Sequence, residues 1–410
     1  MPELFTVHTA ADSLQKLFSQ LPSDVVVEAA LLAEALDRVI AESPVAPGAL
    51  PAFPRSAMDG YAVRAADTFG ASESLPAYLT VVGESPMGKA PSFEIGKGQA
   101  AVIHTGGMLP NGADGVVMIE RTQKAREDEI EVLRAIAVGE NVIQAGEDVK
   151  AGEALLPVGH RLRPQDLGGL AAAGITQVHV ARRPRVAILA TGDEVVGADT
   201  EPAPGQVRDV NTYSIAGLVK RAGGVPVLRG IIPDDFEALY QAARAALDDG
   251  DALVLSAGSS VSVRDMTSQV IDRLGKPGVL VHGVSIKPGK PTILAVCDGK
   301  PVFGLPGNPV SALVVADLFL TPTLWRMQGL AQSMTYRSTP ARLARNVAST
   351  PGREDYIQVK LVERGGELWA EPVLGKSNLI FTLVKADGLI VVPLDENGVQ
   401  EGEIVEVRLF

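Results

Sequence analysis

The sequence has almost no cysteine and few aromatic residues. Cys297 is the single cysteine among 410 residues, and Phe, Trp and Tyr together make up 4%. One cysteine excludes an internal disulfide and a cysteine-based metal cluster, which is typical of a protein kept in a reducing compartment. Because Cys297 ends the apolar run TILAVC, we interpret it as a buried small side chain and not as a nucleophile.

Positive charge is scarce as well. The chain has 37 Lys and Arg against 49 Asp and Glu, a formal net charge of -12, and its pI is near 5.0. Nucleic-acid and anionic-membrane surfaces need a basic footprint, so neither is an expected partner. No signal-peptide pattern is present, and the best spanning candidate, Val310 to Leu320, is interrupted by Asp317. We therefore expect a cytoplasmic protein that holds anions with a few local cations and backbone N–H groups.

The first 180 residues show helical patterns, a Pro-rich linker (SPVAPGALPAFP, 43–54) and a β-rich segment. The first predicted helix follows a possible Thr9 cap and has apolar residues at helical spacing: Leu14, Leu17, Phe18 and Leu21. Residues 28–41 predict a second helix. Short β-branched runs between about 78 and 136 predict a mostly-β domain. The later run DLGGLAAAGI is helical again and is expected to pack back on the N-terminal helices.

From Arg185 onwards, continuous apolar runs such as VAILA and DALVLS alternate with helical patterns. This alternation predicts a parallel sheet buried on both faces. After about Ser338 short strands return and predict a small β domain. The whole chain is thus a multidomain α/β protein with four predicted parts: residues 1–50 with 146–182 as an N-terminal linker domain, 51–145 as an inserted mostly-β domain, 183–330 as the α/β domain, and 331–410 as the C-terminal β domain.

Polar residues follow four of the predicted strands, in the runs TGDE, PDD, SAGSS and LPGNP. In open parallel sheets ligands bind beyond the carboxyl ends of the strands, so these runs are expected to line one rim. Three rim acids, Glu194, Asp234 and Asp265, suit a hard divalent cation that also contacts phosphate oxygens. The alternative is that each acid only caps a helix and complements its dipole.

Three loops are candidate anion sites. The turns SAGSS (256–260) and LPGNP (305–309) present backbone N–H groups at predicted helix starts. KPGKP (287–291) carries two ammonium groups on a rigid turn, which suits an oxyanion, although a solvated surface turn explains it equally. The loop is not a Walker A sequence, and neither a GxGxxG after the first strand nor an HExxH is present. Dinucleotide oxidoreduction and zinc proteolysis therefore lack their usual motifs.

Taken together and in order, five motifs resemble the molybdopterin molybdenumtransferase family, which includes the E domain of gephyrin: SAMDGYA (56–62), TGDE (191–194), DVN (209–211), SIKPGKP (285–291) and GLPGNPVSA (304–312). The resemblance covers nearly the whole chain. It implies an N-terminal domain interrupted by a β insertion, a central molybdopterin-binding α/β domain and a C-terminal β barrel. It also implies an elongated homodimer with an active cleft between the subunits, so that Arg353 and Ser377 are expected to serve the sheet of the partner subunit.

The same resemblance implies a reaction, in which molybdate is inserted into adenylylated molybdopterin with release of AMP and with Mg²⁺ or another divalent metal. Four acids match the family's catalytic positions, of which the last three are also tied to the metal: Asp59, Glu194, Asp234 and Asp265. Without its surrounding motif, Asp59 would be interpreted only as a turn residue beside Gly60. The loop before Asp265 departs from the family's diglycine pattern at Ala257, Ser262 and Arg264, and Arg264 is a further candidate phosphate ligand.

The resemblance also assigns ligand-binding residues. The residues matched to the adenylylated pterin are Thr105, Thr191, Gly192, Asp209, Asn211, Ser256, Gly258, Ser259, Pro306, Gly307 and Asn308. The residues matched to molybdate are Lys287, Lys290, Pro291, Ser311, Arg353 and Ser377. Charge-assisted donors of this kind suit a tetrahedral dianion.

Two other functions remain open from the sequence. One is the adenylyltransferase that makes the AMP-pterin, which uses a similar α/β domain, needs ATP and would not need Arg353 or Ser377. The other is a non-catalytic, pterin-binding dimeric scaffold, since gephyrin-type E domains also serve as assembly platforms.

Overall fold

The N-terminal segment begins with a capped helix and a short strand. A computed structural model describes residues 8–257, 261–330 and 336–410, except for the side chains of 261–264. Helix α1 (Ala10–Ser19) starts behind Thr9, whose hydroxyl oxygen accepts a hydrogen bond from the Asp12 amide at 3.0 Å. This confirms the first predicted helix. The helix predicted over 28–41 is wrong, because this segment forms strand β1 (Val27–Leu31) and a 3-10 turn.

The inserted domain is mostly β, as predicted. Its eight strands are β2 (Arg55–Ser56), β3 (Gly60–Val63), β4 (Ala77–Glu84), β5 (Gln99–Ile103), β6 (Gly115–Met118), β7 (Thr122–Arg126), β8 (Glu129–Val132) and β9 (Val142–Ile143). Six of them form one sheet in the order β6-β3-β5-β4-β8-β7. Gly60 is required at the start of β3, because a Cβ there would come within 2.0 Å of the Val117 carbonyl oxygen.

The chain then returns to the N-terminal segment. Helix α2 (Pro164–Ala172) is followed by β10 (Gln177–Ala181), which pairs antiparallel with β1. Ala30, Leu170 and Val180 share the small core between them. The apolar residues of 28–41 therefore fill this core from a strand and a turn, although their spacing resembles that of a helix. DLGGLAAAGI does pack back on the N-terminal segment, but it packs on strand β1 and the 3-10 turn and not on N-terminal helices as expected.

The α/β domain alternates strands and helices from Arg185 onwards. Its elements are β11 (Arg185–Thr191), β12 (Val195–Val196), β13 (Val207–Arg208), α3 (Asn211–Arg221), β14 (Val225–Ile232), α4 (Phe236–Asp249), β15 (Ala252–Ser256), α5 (Val261–Leu274), β16 (Pro277–His282), β17 (Ile286–Lys287), β18 (Ile293–Cys297), β19 (Lys300–Leu305), α6 (Pro309–Val315) and α7 (Thr321–Met327). The main sheet has the order β14-β11-β15-β19-β18-β16, with apolar cores on both faces. Helix α1 also packs on this sheet through Leu17.

The main sheet is mixed and not wholly parallel. Strands β14, β11, β15 and β19 are parallel, but β18 is antiparallel to both β19 and β16. The reason is a two-residue turn between β18 and β19, in which Asp298 and Gly299 have φ of 50° and 83°. Such an Asp-Gly turn forces a hairpin. Cys297 lies on this hairpin and is fully buried, which raises the pKa of its thiol to about 12 and confirms the non-nucleophilic interpretation.

The last helical segment of the domain is a core helix. Residues 309–327 form α6, a π-helical turn (Ala316–Leu320) and α7 in succession. By length and composition alone this helix could cross a membrane, but 67% of its apolar window is buried inside the protein. Phe319 and Leu324 are fully buried in the core that covers one face of the sheet. The apolar composition is thus explained by packing on the sheet.

The C-terminal domain is a small barrel, as the resemblance implied. Its elements are β20 (Ser338–Leu343), β21 (Val347–Ala348), β22 (Glu354–Arg364), β23 (Glu367–Pro372), α8 (Phe381–Val384), β24 (Gly388–Val392), β25 (Gly398–Val399) and β26 (Ile404–Leu409). The sheet order β22-β23-β20-β26-β24 is closed by the pairing of β22 with β24. Strand β17 of the α/β domain adds to β22 in parallel. This pairing connects the two domains directly.

Candidate functional site

The four parallel strands bring the predicted rim together. Thr191 is in register with Ile232, and Ser256 is in register with both Ala190 and Leu305. The loops that follow these strands therefore start at one edge of the sheet, as predicted. Gly258 and Ser259 lie outside the described residues, so their contact with the pterin remains a prediction.

Asn211 is the residue that holds this rim together. Its side chain is buried, and its Nδ2 donates hydrogen bonds to Ser256 Oγ at 2.8 Å and to the Gly307 carbonyl oxygen at 2.9 Å. The motifs DVN, SAGSS and LPGNP thus meet at one side chain. Within the described residues, Asn211 Oδ1 and the neighbouring Thr212 Oγ1 are buried without a hydrogen-bond partner. A buried acceptor of this kind is costly unless a ligand or water satisfies it.

Asp209 has a supporting role in the same loop. Its Oδ1 accepts a hydrogen bond from the Thr212 amide at 3.1 Å, and its own amide donates to the Val196 carbonyl oxygen at 2.8 Å. The carboxylate is nearly buried. Asp209 therefore fixes the first turn of α3 and, through it, the orientation of Asn211. The sequence motif predicted both residues but did not distinguish these roles.

The rim acids are less closely gathered than the sequence suggested. Thr191 Oγ1 donates to Asp234 Oδ1 at 2.7 Å, and the Asp234 amide donates to Asp193 Oδ1 at 3.1 Å. Gly192, with φ of 146°, lies against Glu194, because a Cβ there would come within 2.8 Å of Glu194 Oε2. Asp265 is exposed on α5.

These acids do not form a ready metal site. Among residues 8–257, 261–330 and 336–410, no group of three or more His, Cys, Asp or Glu is arranged to hold a metal ion. The expected convergence of Glu194, Asp234 and Asp265 on one cation is therefore not preformed. The capping alternative also fails for Asp234, since the cap of α4 is Asp235, which accepts from the Ala238 amide at 2.8 Å.

The six residues predicted to bind molybdate line one cleft of about 1030 Å³ between the α/β domain and the barrel: Lys287, Lys290, Pro291, Ser311, Arg353 and Ser377. Pro306 and Asn308 line the same cleft, so the LPGNP turn faces both the cleft and the Asn211 contacts. The KPGKP turn therefore lines the cleft, while its lysines are also exposed to solvent, so its role as an oxyanion site stays a prediction. Two further charged residues at the cleft were not predicted from the sequence: Lys376, which lines the cleft, and Asp355, which lies behind it.

Arg353 and Ser377 reach the sheet of their own chain. The Val310 amide donates a hydrogen bond to the Ser377 carbonyl oxygen at 3.0 Å, and β22 pairs with β17 directly after Arg353. The expectation that both residues serve the sheet of the partner subunit is thus wrong. The reason is that the short loop after β23 folds back over the start of α6.

Asp59 and Thr105 form a second cluster, in the inserted domain. The amide and hydroxyl of Thr105 donate to Asp59 Oδ1 at 2.8 and 3.2 Å, and the backbone bond lowers the pKa of Asp59 below its ordinary value. His104 Nδ1 lies 3.8 Å from the same oxygen. The Asp59 carboxylate is exposed and accepts hydrogen bonds from Thr105, which lies in a different loop. A residue that only formed a turn beside Gly60 would not need these contacts. The predicted pair is therefore brought together, and its role in catalysis stays a prediction.

Comparison with known families matches almost the whole chain. Residues 5–174 match the model described as "MoeA N-terminal region (domain I and II)", residues 187–326 match the "Probable molybdopterin binding domain", and residues 340–410 match the "MoeA C-terminal region (domain IV)". The three matches follow the order of the domains in the structure. The rim falls in the second match, whereas the cleft is divided between two matches. Of its six predicted oxyanion residues, Lys287, Lys290, Pro291 and Ser311 fall in the second match, and Arg353 and Ser377 fall in the third.

Individual relatives agree with this assignment. A molybdopterin molybdenumtransferase of a Nostoc species is 35% identical, with 98% of this chain and 93% of the relative covered. The corresponding protein of Bacillus subtilis is 33% identical, with 92% and 89% covered. The crystal structure of a molybdopterin biosynthesis MoeA protein from Pyrococcus horikoshii has a TM-score of 0.86 and 32% identity, with 99% and 100% covered.

Proposed function

The chain belongs to the molybdopterin molybdenumtransferase family, and on that premise we propose that it inserts molybdate into adenylylated molybdopterin and releases AMP. It is thus an enzyme of molybdenum cofactor biosynthesis. The observation that carries the proposal is the single cleft lined by all six predicted oxyanion residues, next to the polar rim centred on Asn211. The two parts share the LPGNP turn, so an oxyanion and a pterin would be held side by side.

The cleft has the donors that a tetrahedral dianion needs. Lys287, Lys290 and Arg353 supply cationic N–H groups, while Ser311 and Ser377 supply hydroxyl donors. Charged hydrogen bonds are the strong ones, and the protein is acidic overall, so this local excess of cations supports an oxyanion site in the cleft. The rim supplies a different chemistry, because Asn211, Thr191 and Ser256 offer neutral hydrogen-bonding groups suited to a heterocycle or a ribose.

A divalent cation fits the rim only in part. Glu194, Asp234 and Asp265 offer the oxygen ligands that Mg²⁺ prefers, but among the described residues they do not gather into a group of three. When bound, Mg²⁺ would neutralise charge on the phosphoanhydride. We assign Glu194 and Asp234 as its nearest protein ligands, with the phosphate oxygens and water completing its shell.

The proposal includes a second subunit, which the family resemblance suggests, and gives Asp59 and Thr105 a role there. They lie in the inserted domain, in a cluster of their own. If the family's homodimer applies, this cluster faces the rim of the other subunit, and Asp59 acts there as an ionised acceptor. The proposed enzyme is accordingly a cytoplasmic homodimer whose substrates are adenylylated molybdopterin and molybdate.

The experiment is a reaction of the purified protein with adenylylated molybdopterin, Mg²⁺ and molybdate, with AMP release and molybdenum content of the pterin as readouts. We expect both to appear together and to fall in Lys290→Gln. A parallel reaction with ATP and unadenylylated pterin tests the adenylyltransferase. AMP-pterin formation from ATP, or pterin binding without turnover in either reaction, would contradict the proposal in favour of the adenylyltransferase or the scaffold.

A further inference from the structure

Asp355 is a fully buried carboxylate directly behind the cleft. Its Oδ1 accepts a hydrogen bond from Arg353 Nε at 2.8 Å, and its Oδ2 lies 3.4 Å from an Arg353 terminal nitrogen and 3.7 Å from Lys287 Nζ. Its side chain has no solvent exposure, whereas those of Lys287 and Arg353 are 58% and 35% exposed. Asp355 therefore contacts two of the cleft cations without lining the cleft itself.

The fold places Asp355 there through backbone pairing. Strand β17 runs parallel to β22, with Ile286 opposite Glu354 and Lys287 opposite Asp355. The Glu354 amide also donates to the Ser285 carbonyl oxygen at 2.9 Å. The carboxylate and Lys287 are thus fixed in register across the boundary between the α/β domain and the barrel. A buried charge is costly unless it is paired, so the contacts with Arg353 and Lys287 are required of this position.

From this geometry we propose that Asp355 is a positioning residue for oxyanion binding, which orients Arg353 and Lys287 toward the cleft. The inference rests on the proposed function of the cleft. A guanidinium has five N–H donors and an ammonium has three. Asp355 engages the Nε edge of Arg353 and one side of Lys287, so the remaining donors of both cations face the cleft. The oxyanion then meets two cations whose orientation is already set.

A competing role for Asp355 is simple charge reduction. Lys287, Lys290, Arg353 and Lys376 all line the cleft, and one carboxylate behind them lowers its positive potential. If that were the whole role, removing the carboxylate would tighten the binding of every anion. If Asp355 positions donors, its removal has the opposite effect. The sign of the change therefore separates the two roles.

The test is titration of the full-length protein with inorganic molybdate, and separately with sulfate, by calorimetry at constant ionic strength. Asp355→Asn keeps the shape of the side chain but replaces one carboxylate oxygen with an amide N–H₂ group. This group cannot accept a hydrogen bond from Arg353 or Lys287, so one of the two cations must rotate away. We expect its molybdate Kd to rise about tenfold or more, the effect of one lost charged hydrogen bond. Asp355→Ser removes the carboxylate without adding a competing amide and gives a second test if the first variant is unstable.

Glu354→Gln is the matched charge control. It removes one negative charge from the preceding residue, whose Oε2 accepts from the Tyr356 hydroxyl at 2.8 Å and whose side chain does not contact Arg353 or Lys287. We expect its molybdate Kd to stay near wild type. Arg353→Lys provides the coupling readout, because it should weaken binding in the wild-type background and add little to Asp355→Asn.

Three results would overturn the inference. Tighter anion binding by both Asp355→Asn and Glu354→Gln would show charge reduction only. A lower melting temperature with unchanged Kd, or fully additive effects of Arg353→Lys and Asp355→Asn, would show a structural role only. Absence of molybdate binding by the wild-type protein would overturn the function proposed for the cleft, and the positioning role with it.

Discussion

The amide of Val310 donates a hydrogen bond to the carbonyl oxygen of Ser377 at 3.0 Å. Val310 lies in the first turn of α6, at the rim of the α/β sheet, and Ser377 lies in a loop of the barrel. This contact, together with the pairing of β17 and β22, builds the cleft from two domains of one chain. Asp59 and Thr105 are not part of this cleft. In the proposed homodimer, the two groups of predicted site residues should therefore behave differently when subunits are mixed.

The first prediction concerns such mixing. In the proposed homodimer, Arg353→Ala and Lys290→Gln both weaken the cleft of their own chain, so a mixed dimer contains one defect in each cleft and should stay impaired at limiting molybdate. Asp59→Asn mixed with Lys290→Gln should regain activity, because one of the two intersubunit sites then carries both defects and the other carries neither. AMP release by co-refolded or co-expressed heterodimers measures this.

The opposite pattern would be decisive against this arrangement. If Arg353→Ala and Lys290→Gln restore each other, the barrel serves the other subunit in the active dimer. Strictly monomeric behaviour of the active protein would rule out the shared site altogether. Two copies of the same variant, mixed in the same way, provide the control.

The positions of the rim loops could be predicted from the sequence, whereas the contacts behind the cleft could not. Strand ends in a parallel sheet meet at one edge, so TGDE, PDD and LPGNP could be placed together from the order of strands alone. Asp355 could not be found in this way, because its contact with Lys287 joins residues from two domains, and no local pattern encodes that pairing. Asn211 was named, but its bonds to Ser256 and Gly307 depend on the packing of α3 against two strand ends.

Two errors had different causes. The antiparallel hairpin of β18 and β19 has a local sequence signal, because the Asp298-Gly299 pair between two apolar runs predicts a hairpin turn. The helix predicted over 28–41 had no such signal. Its apolar residues fit helical spacing by chance, and pairing of Ala30 with Val178 across β10 overrides the local preference.

The second prediction concerns Lys290. Lys290→Gln removes one charged donor from the cleft and should raise the molybdate concentration for half-maximal insertion by about tenfold or more, from a loss of roughly 1.5 to 3 kcal/mol. Binding of adenylylated pterin should change little, because Asn211 and Thr191 lie on the rim and not in the cleft. Steady-state titration of molybdate and fluorescence titration of the pterin measure the two effects. Unchanged molybdate dependence with weaker pterin binding would instead assign the lysines to the substrate phosphates.

The third prediction concerns Asn211. Asn211→Leu keeps the volume but leaves Ser256 Oγ and the Gly307 carbonyl oxygen without their donor, so the free energy of unfolding should fall by about 1 to 3 kcal/mol. Pterin affinity should fall as well, because the rim loses its common anchor. Tyr213→Ala, at an exposed position on the same helix, is the control and should stay within about 0.5 kcal/mol of wild type. Equal stability of the two variants would show that the Asn211 contacts are dispensable.

The fourth prediction is a pH dependence at Asp166. Hydrogen bonds from Arg163 hold the pKa of this buried carboxyl well below its ordinary value near 3.8, with a further contribution from His160. A depressed pKa contributes stability that is complete above the unfolded pKa and is lost progressively as pH falls from there through the folded pKa. Asp166→Asn should therefore lower the melting temperature at pH 7, and the gap to wild type should narrow below about pH 4. Asp148→Asn, at an exposed site, should show no such gap at either pH.

The fifth prediction follows from the incomplete gathering of the rim acids. Since no described group of three acids is arranged for a metal, Mg²⁺ should bind the free protein weakly. Phosphate oxygens of a bound nucleotide complete the shell, so AMP should strengthen Mg²⁺ binding, and Mg²⁺ should strengthen AMP binding by the same factor, about five- to a hundredfold. Calorimetric titrations with each ligand, in the presence and absence of the other, measure this coupling. Glu194→Ala should abolish it, whereas Asp199→Asn, an exposed acid in the same loop, should leave it intact. Tight Mg²⁺ binding without nucleotide, unaffected by Glu194→Ala, would mean that the metal is held elsewhere in the protein.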